Sequence, residues 1–186
     1  MKTKTELMSF SDGIDLESGD RLDTFELMVE SYGELNESKT NAVLVCHAFS
    51  GNHFAAGKND DGETGWWDQI IGPDKAIDTN KFFVICCNNL GGCSGSTGPK
   101  SINPKTNKAY GSSFPQVSVS DWVNSQKILM DKLYIPSWEM VLGGSLGGMQ
   151  ALQWSIAYPE KIKKAGIFAA AAKSLSLIHI SEPTRH

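Results

Sequence analysis

The sequence predicts an α/β fold with a mostly parallel sheet, and three observations predict it. Two continuous apolar runs, Ala42 to Cys46 and Lys81 to Cys87, are bounded by turn residues, as expected of strands covered on both faces. Between Val119 and Leu133, apolar residues at 119, 122, 123, 129, 130 and 133 trace one face of a helix. A strand-like run at Trp138, Met140, Val141 and Leu142 leads through Gly143-Gly144-Ser145-Leu146-Gly147 into Ala151, Leu152, Trp154, Ile156 and Ala157 at helical spacing. Strands that alternate with helices build a parallel sheet.

Taken in order, the chain opens with a β-rich segment. Thr24 to Ser31 alternates in part, as a half-buried antiparallel strand does. After the Ala42–Cys46 strand comes a long polar stretch, Gly51 to Asp78, with one short helix expected around Trp66-Trp67-Asp68. Long loops of this kind are often functional. Ser118 or Ser120 is placed to cap the helix that follows. Pro159 stops the helix after Ser145, and Ala165 to Ala170 reads as one more buried strand. No internal repeat, low-complexity tract or interdomain linker interrupts this pattern.

Composition narrows the function classes. Apolar residues make up 40% of 186 residues, enough to bury a core. A net charge of −4 without basic runs argues against nucleic acid or an anionic membrane surface as partner. No apolar run approaches the roughly 20 residues that span a bilayer. The start, Met1 to Met8, lacks the apolar core of a signal peptide, so a cytoplasmic protein is expected. Cys46 and the Cys86-Cys87 pair sit in apolar runs, where free cysteine behaves as a small hydrophobe. No C-x-x-C spacing suggests zinc.

The chemistry centres on Ser145. A G-x-S-x-G stretch between strand and helix is a nucleophile elbow, a tight turn that exposes the serine hydroxyl above a helix N-terminus. The flanking glycines keep Cβ atoms out of the turn and away from approaching substrate. In the α/β-hydrolase arrangement that such an elbow implies, the triad runs Ser, then Asp or Glu, then His along the chain. Behind Ser145 there is no aspartate; the only carboxylates are Glu160 and Glu182, and the only histidines are His179 and His186. The triad aspartate and histidine are therefore not present in this chain.

His47-Ala48-Phe49-Ser50-Gly51 follows directly on the strand ending at Cys46. By strand counting, this loop supplies one oxyanion-hole donor and the residue after the nucleophile the other, so the backbone N–H groups of Phe49 and Leu146 are the candidates. His47 is out of order for a triad base and is read as a ring that holds the loop by hydrogen bonds. His53 has little to recommend it for any role. The stretch Asn88 to Pro99 is Gly-rich, but it lacks both the G-K-[ST] ending of a P-loop and G-x-G-x-x-G spacing. Close approach of its backbone to another element or to substrate is expected instead.

Together these stretches resemble the homoserine O-acyltransferases (O-acetyl- and O-succinyltransferases) of the α/β-hydrolase superfamily. The resemblance rests on His47–Gly51, Gly65-Trp-Trp-Asp68, Ile71-Gly-Pro73, Asn88–Pro99, Ser101-Ile-Asn-Pro104, Tyr110-Gly111, Phe114-Pro115 and Gly143–Trp154. It covers the chain to about Lys173. Phe49 departs from the family, which usually has leucine there.

The resemblance implies a ping-pong acyl transfer in methionine biosynthesis. Ser145 attacks the thioester of an acyl-CoA, and the hydroxyl of L-homoserine then takes the acyl group from the enzyme. It implies no metal or prosthetic group, acyl-CoA and L-homoserine as substrates, and a homodimer for the full-length protein. The catalytic Asp and His and the arginine for the homoserine carboxylate would lie outside this chain, so the fragment alone is expected to be inactive. Asn88–Cys93, Asp121–Gln126 and Gly144–Gly148 look more like the succinyl branch than the acetyl branch. Leu175 to Arg185 resembles the translated read-through of a sequencing adapter. On that reading, residues 1–173 are the N-terminal part of one α/β-hydrolase domain and 174–186 a non-native tail. Two other readings share the elbow: an esterase or lipase of the same superfamily, and a non-catalytic half-domain.

Overall fold

The computed structural model describes residues 1–172, so the expectations for the tail at 174–186 lie outside the described residues. Six strands form one sheet: β1 (Thr3–Phe10), β2 (Phe25–Tyr32), β3 (Ala42–Cys46), β4 (Phe83–Cys87), β5 (Met140–Gly144) and β6 (Ala165–Phe168). Their order across the sheet is β1-β2-β4-β3-β5-β6. The pairs β4–β3, β3–β5 and β5–β6 are parallel, whereas β2 runs antiparallel to both β1 and β4. Helix α1 (Val119–Lys132) precedes β5, and α2 (Leu146–Ala157) lies between β5 and β6.

All five residues of β3 are buried, because both faces of the sheet are covered. Leu44, Cys46, Ile85, Cys87 and Val141 face α1 and α2, where Val123, Leu129, Met130 and Trp154 meet them. The alternate residues Val43, Val45, Val84, Cys86 and Leu142 face the other way, onto Ala55, Ala56, Ile71 and the Trp66–Trp67 pair. The long polar loop therefore serves as the second cover of the sheet. Ser118, rather than Ser120, caps α1. Its hydroxyl accepts from the Asp121 N–H at 3.2 Å and the Asp121 carboxylate accepts from the Ser118 N–H at 2.8 Å, a reciprocal capping box.

Two sequence expectations need correction. Trp66-Trp67-Asp68 forms hydrogen-bonded turns, not a helix. The Ile70 and Ile71 N–H groups both reach Trp67 O, but Ile71–Gly72 then pairs with Ile77–Asp78 as a short bridge, which ends the helical path after one turn. The last strand is not buried but largely exposed, since no strand pairs with its outer edge among the described residues, and it stops at Phe168 rather than Ala170, with Ala169 in a left-handed conformation (φ 47°).

Glu30 on β2 is a buried carboxylic acid, 4% exposed. Burial pushes it up to about 7 from its ordinary value of 4.5, with the Tyr32 hydroxyl pulling weakly the other way. The native state then holds a proton that the unfolded chain releases near 4.5. This contribution is full below that pH and is lost as pH rises towards 7. We expect it to amount to about 2 kcal/mol, allowing for solvent reaching a carboxyl that lines an open pocket. Thermal melts at pH 5 and pH 8 should show Glu30→Gln removing this part of the pH dependence; an unchanged difference would refute the assignment.

Candidate active site

The site is built where β5 turns into α2. Ser145 has φ 54° and ψ −120° and is exposed at the turn. Its N–H donates to Phe168 O on β6 at 2.9 Å, and Met149 N–H donates back to Ser145 O at 3.1 Å. The neighbouring strand sets the glycine requirement. A Cβ on Gly147 would stand 2.0 Å from Cys46 O at the tip of β3, and one on Gly143 would stand 2.4 Å from the Gly147 carbonyl carbon and 2.6 Å from Cys46 O. The helix crosses β3 with room for hydrogen only, so the tight turn and the strand beside it both require these glycines.

The loop after β3 lies alongside. His47 is 4% exposed and joins two loops: its Nε2 accepts from the Asn89 N–H at 3.1 Å, and its Nδ1 donates to Ala48 O at 2.7 Å. That network assigns the proton to Nδ1. Burial lowers the His47 pKa, so the ring is neutral at pH 7. The loop-holding role expected for His47 is what this geometry shows. His53 makes no such bridge; its Nδ1 is buried without a partner, and burial and nearby His47 lower its pKa.

Phe49 and Leu146 line one cavity of about 420 Å³, with the Ser145 turn adjoining it. Neither N–H donates a hydrogen bond among the described residues. Leu146 opens α2, where an N–H has no intrahelical acceptor. The Phe49 side chain is 88% exposed. Ser145 Oγ has no hydrogen-bond partner among the described residues, so no base is in place beside it.

The Gly-rich loop forms the cavity's other wall. It continues the edge of β2 beyond the end of β4: Ser96 Oγ accepts from Met28 N–H at 3.0 Å and donates to Asn88 O at 2.5 Å, while Thr97 Oγ1 accepts from Glu26 N–H at 2.8 Å. The close backbone approach expected here is to β2, and a Cβ on Gly95 would meet the Met28 side chain at 2.7 Å. Sequence reasoning missed the polar lining, namely Asn52, Asn88 and Asn89, with Trp122 nearby donating from Nε1 to Leu90 O at 2.9 Å. The signal was an Asn-Asn pair directly after an apolar strand, which marks buried polar side chains. Among the described residues no cluster of His, Cys, Asp or Glu is arranged to hold a metal ion, and no helix is long and apolar enough to cross a membrane.

Residues 41–182 match the family described as alpha/beta hydrolase fold. The chain is 58% identical over 170 residues to the homoserine O-succinyltransferase of Hahella chejuensis, covering 90% of this chain and 44% of that protein. It therefore spans less than half the length of the curated relatives it matches. Among solved structures, the homoserine O-acetyltransferase from Bacillus anthracis superposes with a TM-score of 0.83 at 39% identity, over 89% of this chain and 46% of that one. Esterase E22 superposes with a TM-score of 0.80 at 40% identity, over 87% and 46%.

Proposed function

We propose, since the chain belongs to the α/β-hydrolase fold family, that it is the N-terminal part of a homoserine O-succinyltransferase. The observation that carries this reading is the exposed Ser145 on its left-handed turn, beside a cavity lined by Phe49 and Leu146, whose N–H groups have no acceptor among the described residues. The name of the Hahella chejuensis relative supplies the donor and the acceptor.

In the first half-reaction, Ser145 Oγ attacks the thioester carbonyl of succinyl-CoA. The carbonyl oxygen becomes an oxyanion held by the two N–H groups, each such donor being worth about 10²–10³ in rate. The C–S bond breaks, CoA leaves as the thiol, and a succinyl ester remains on Ser145. In the second half, the hydroxyl of L-homoserine attacks that ester and Ser145 is regenerated. Each half needs a general base to take the hydroxyl proton, and a histidine oriented by an aspartate fits that task. On this reading both belong to a part of the full-length protein outside this chain, so the 186-residue chain alone is expected to show no turnover. This chemistry calls for no metal or prosthetic group, and we place the full-length protein in the cytoplasm as a homodimer.

Esterase activity is the second reading, favoured by the likeness to esterase E22. Incubating the full-length protein with succinyl-CoA, with and without L-homoserine, separates the two. O-Succinylhomoserine by mass spectrometry supports acyl transfer. Free succinate formed at the same rate in both reactions supports the hydrolase. No product dependent on Ser145 would refute both catalytic readings.

A further inference from the structure

The cavity beside Ser145 is lined by residues of which none carries a formal charge, since His47 is held neutral. Counter-ions for a homoserine zwitterion would have to come from outside this chain. The lining instead divides into an apolar part, Leu90, Val117 and Trp122, and a polar part, Asn52, Asn89 and Ser94.

Asn89 is the decisive residue. It is 6% exposed, and its side-chain amide has no hydrogen-bond partner among the described residues. Its backbone is nevertheless fixed, because its N–H donates to His47 Nε2. The amide atoms are not sealed off but open on the cavity, where they are placed to meet a ligand or water. Asn52 is similar: its Oδ1 accepts from Phe54 N–H at 2.8 Å, which leaves Nδ2 to donate elsewhere. An apolar lining beside N–H and O–H donors suits a short methylene chain ending in an acceptor-only group. A two-carbon acyl group offers these amides no acceptor beyond its own ester oxygens.

We propose that Asn89, with Asn52 and Ser94, forms the subsite for the distal carboxylate of a dicarboxylic acyl group while that group is carried on Ser145. The inference rests on the acyl-transfer reading and deepens it by assigning donor choice to this half of the protein. Neutral donors suffice for the carboxylate as they do for an oxyanion, provided they are fixed in place beforehand.

The test compares succinyl-CoA with butyryl-CoA, of equal length but uncharged, in the full-length protein, reading release of the CoA thiol. Wild type should prefer succinyl-CoA. Asn89→Asp should lower the succinyl-to-butyryl ratio of kcat/KM by about 10–100-fold, from a lost charge-assisted bond and added repulsion. Ser94→Asp, on a partly exposed position, should lower the same ratio and serves if Asn89→Asp does not fold. An unchanged ratio in the folded variants, or wild type preferring butyryl-CoA, overturns the subsite. Thiol release from succinyl-CoA that never yields O-succinylhomoserine would instead show that the proposed acceptor is wrong, while the subsite would stand on its ratio.

Discussion

Replacing Gly147 with alanine is expected to leave little or no folded protein. The added Cβ would sit 2.0 Å from Cys46 O and 2.7 Å from Cys46 C, both backbone atoms of the central strand β3. Nothing there can move cheaply, because all of β3 is buried and it pairs with β4 on one side and β5 on the other. Either α2 lifts from the sheet or β3 leaves register, and both expose the Trp154 side of the core. Overpacking of this kind exceeds the usual 1–3 kcal/mol, and we expect a loss above about 4 kcal/mol. Gly144→Ala is the internal control. The nearest atom to its added Cβ is Phe168 O at 4.0 Å, so its cost should stay within about 1 kcal/mol. Thermal melts of the two variants decide the matter. Equal stabilities would mean that the elbow tolerates a side chain against β3 and that the packing argument fails.

The same contact explains what could be read from the sequence. β3, β4 and β5 were legible because a strand covered on both faces must be apolar at nearly every position. The helix α1 was legible by its period and its capping serine. By contrast, β1 carries Lys, Thr and Glu along Thr3–Phe10 and is largely exposed, with Phe10 its one buried residue. Backbone pairing with β2, from Thr3 opposite Tyr32 to Phe10 opposite Phe25, makes it a strand, and pairing leaves no mark on composition. At the site, Ser145 was legible because the elbow needs a contiguous motif. The amides of Asn52 and Asn89 were not, because they come from loops after different strands and only the fold brings those loops to one cavity. His47 lies between these cases: its place after β3 pointed to a structural ring, but its partner Asn89 could not be named from the sequence.

Ser145 itself should reveal a cost that activity conceals. At φ 54° and ψ −120°, a residue with a Cβ is held where only glycine rests easily, a strain of about 1–3 kcal/mol. Ser145→Gly should therefore melt higher than Ser145→Ala, by about 1 kcal/mol once the greater freedom of glycine in the unfolded chain is offset. Both substitutions remove the hydroxyl, and both should lower acyl transfer by about 10⁴-fold or more. The alanine variant keeps the strain and loses the chemistry, so the difference between the two isolates the conformational cost of exposing the hydroxyl at the turn. The surroundings enforce that conformation: the Ser145 N–H is tied to Phe168 O, and its carbonyl accepts from Met149 N–H as the first turn of α2 forms. If the alanine variant proves as stable as the glycine variant, the turn is unstrained and the elbow exposes its serine at no cost. If either variant retains more than a trace of transfer, the nucleophile is another residue.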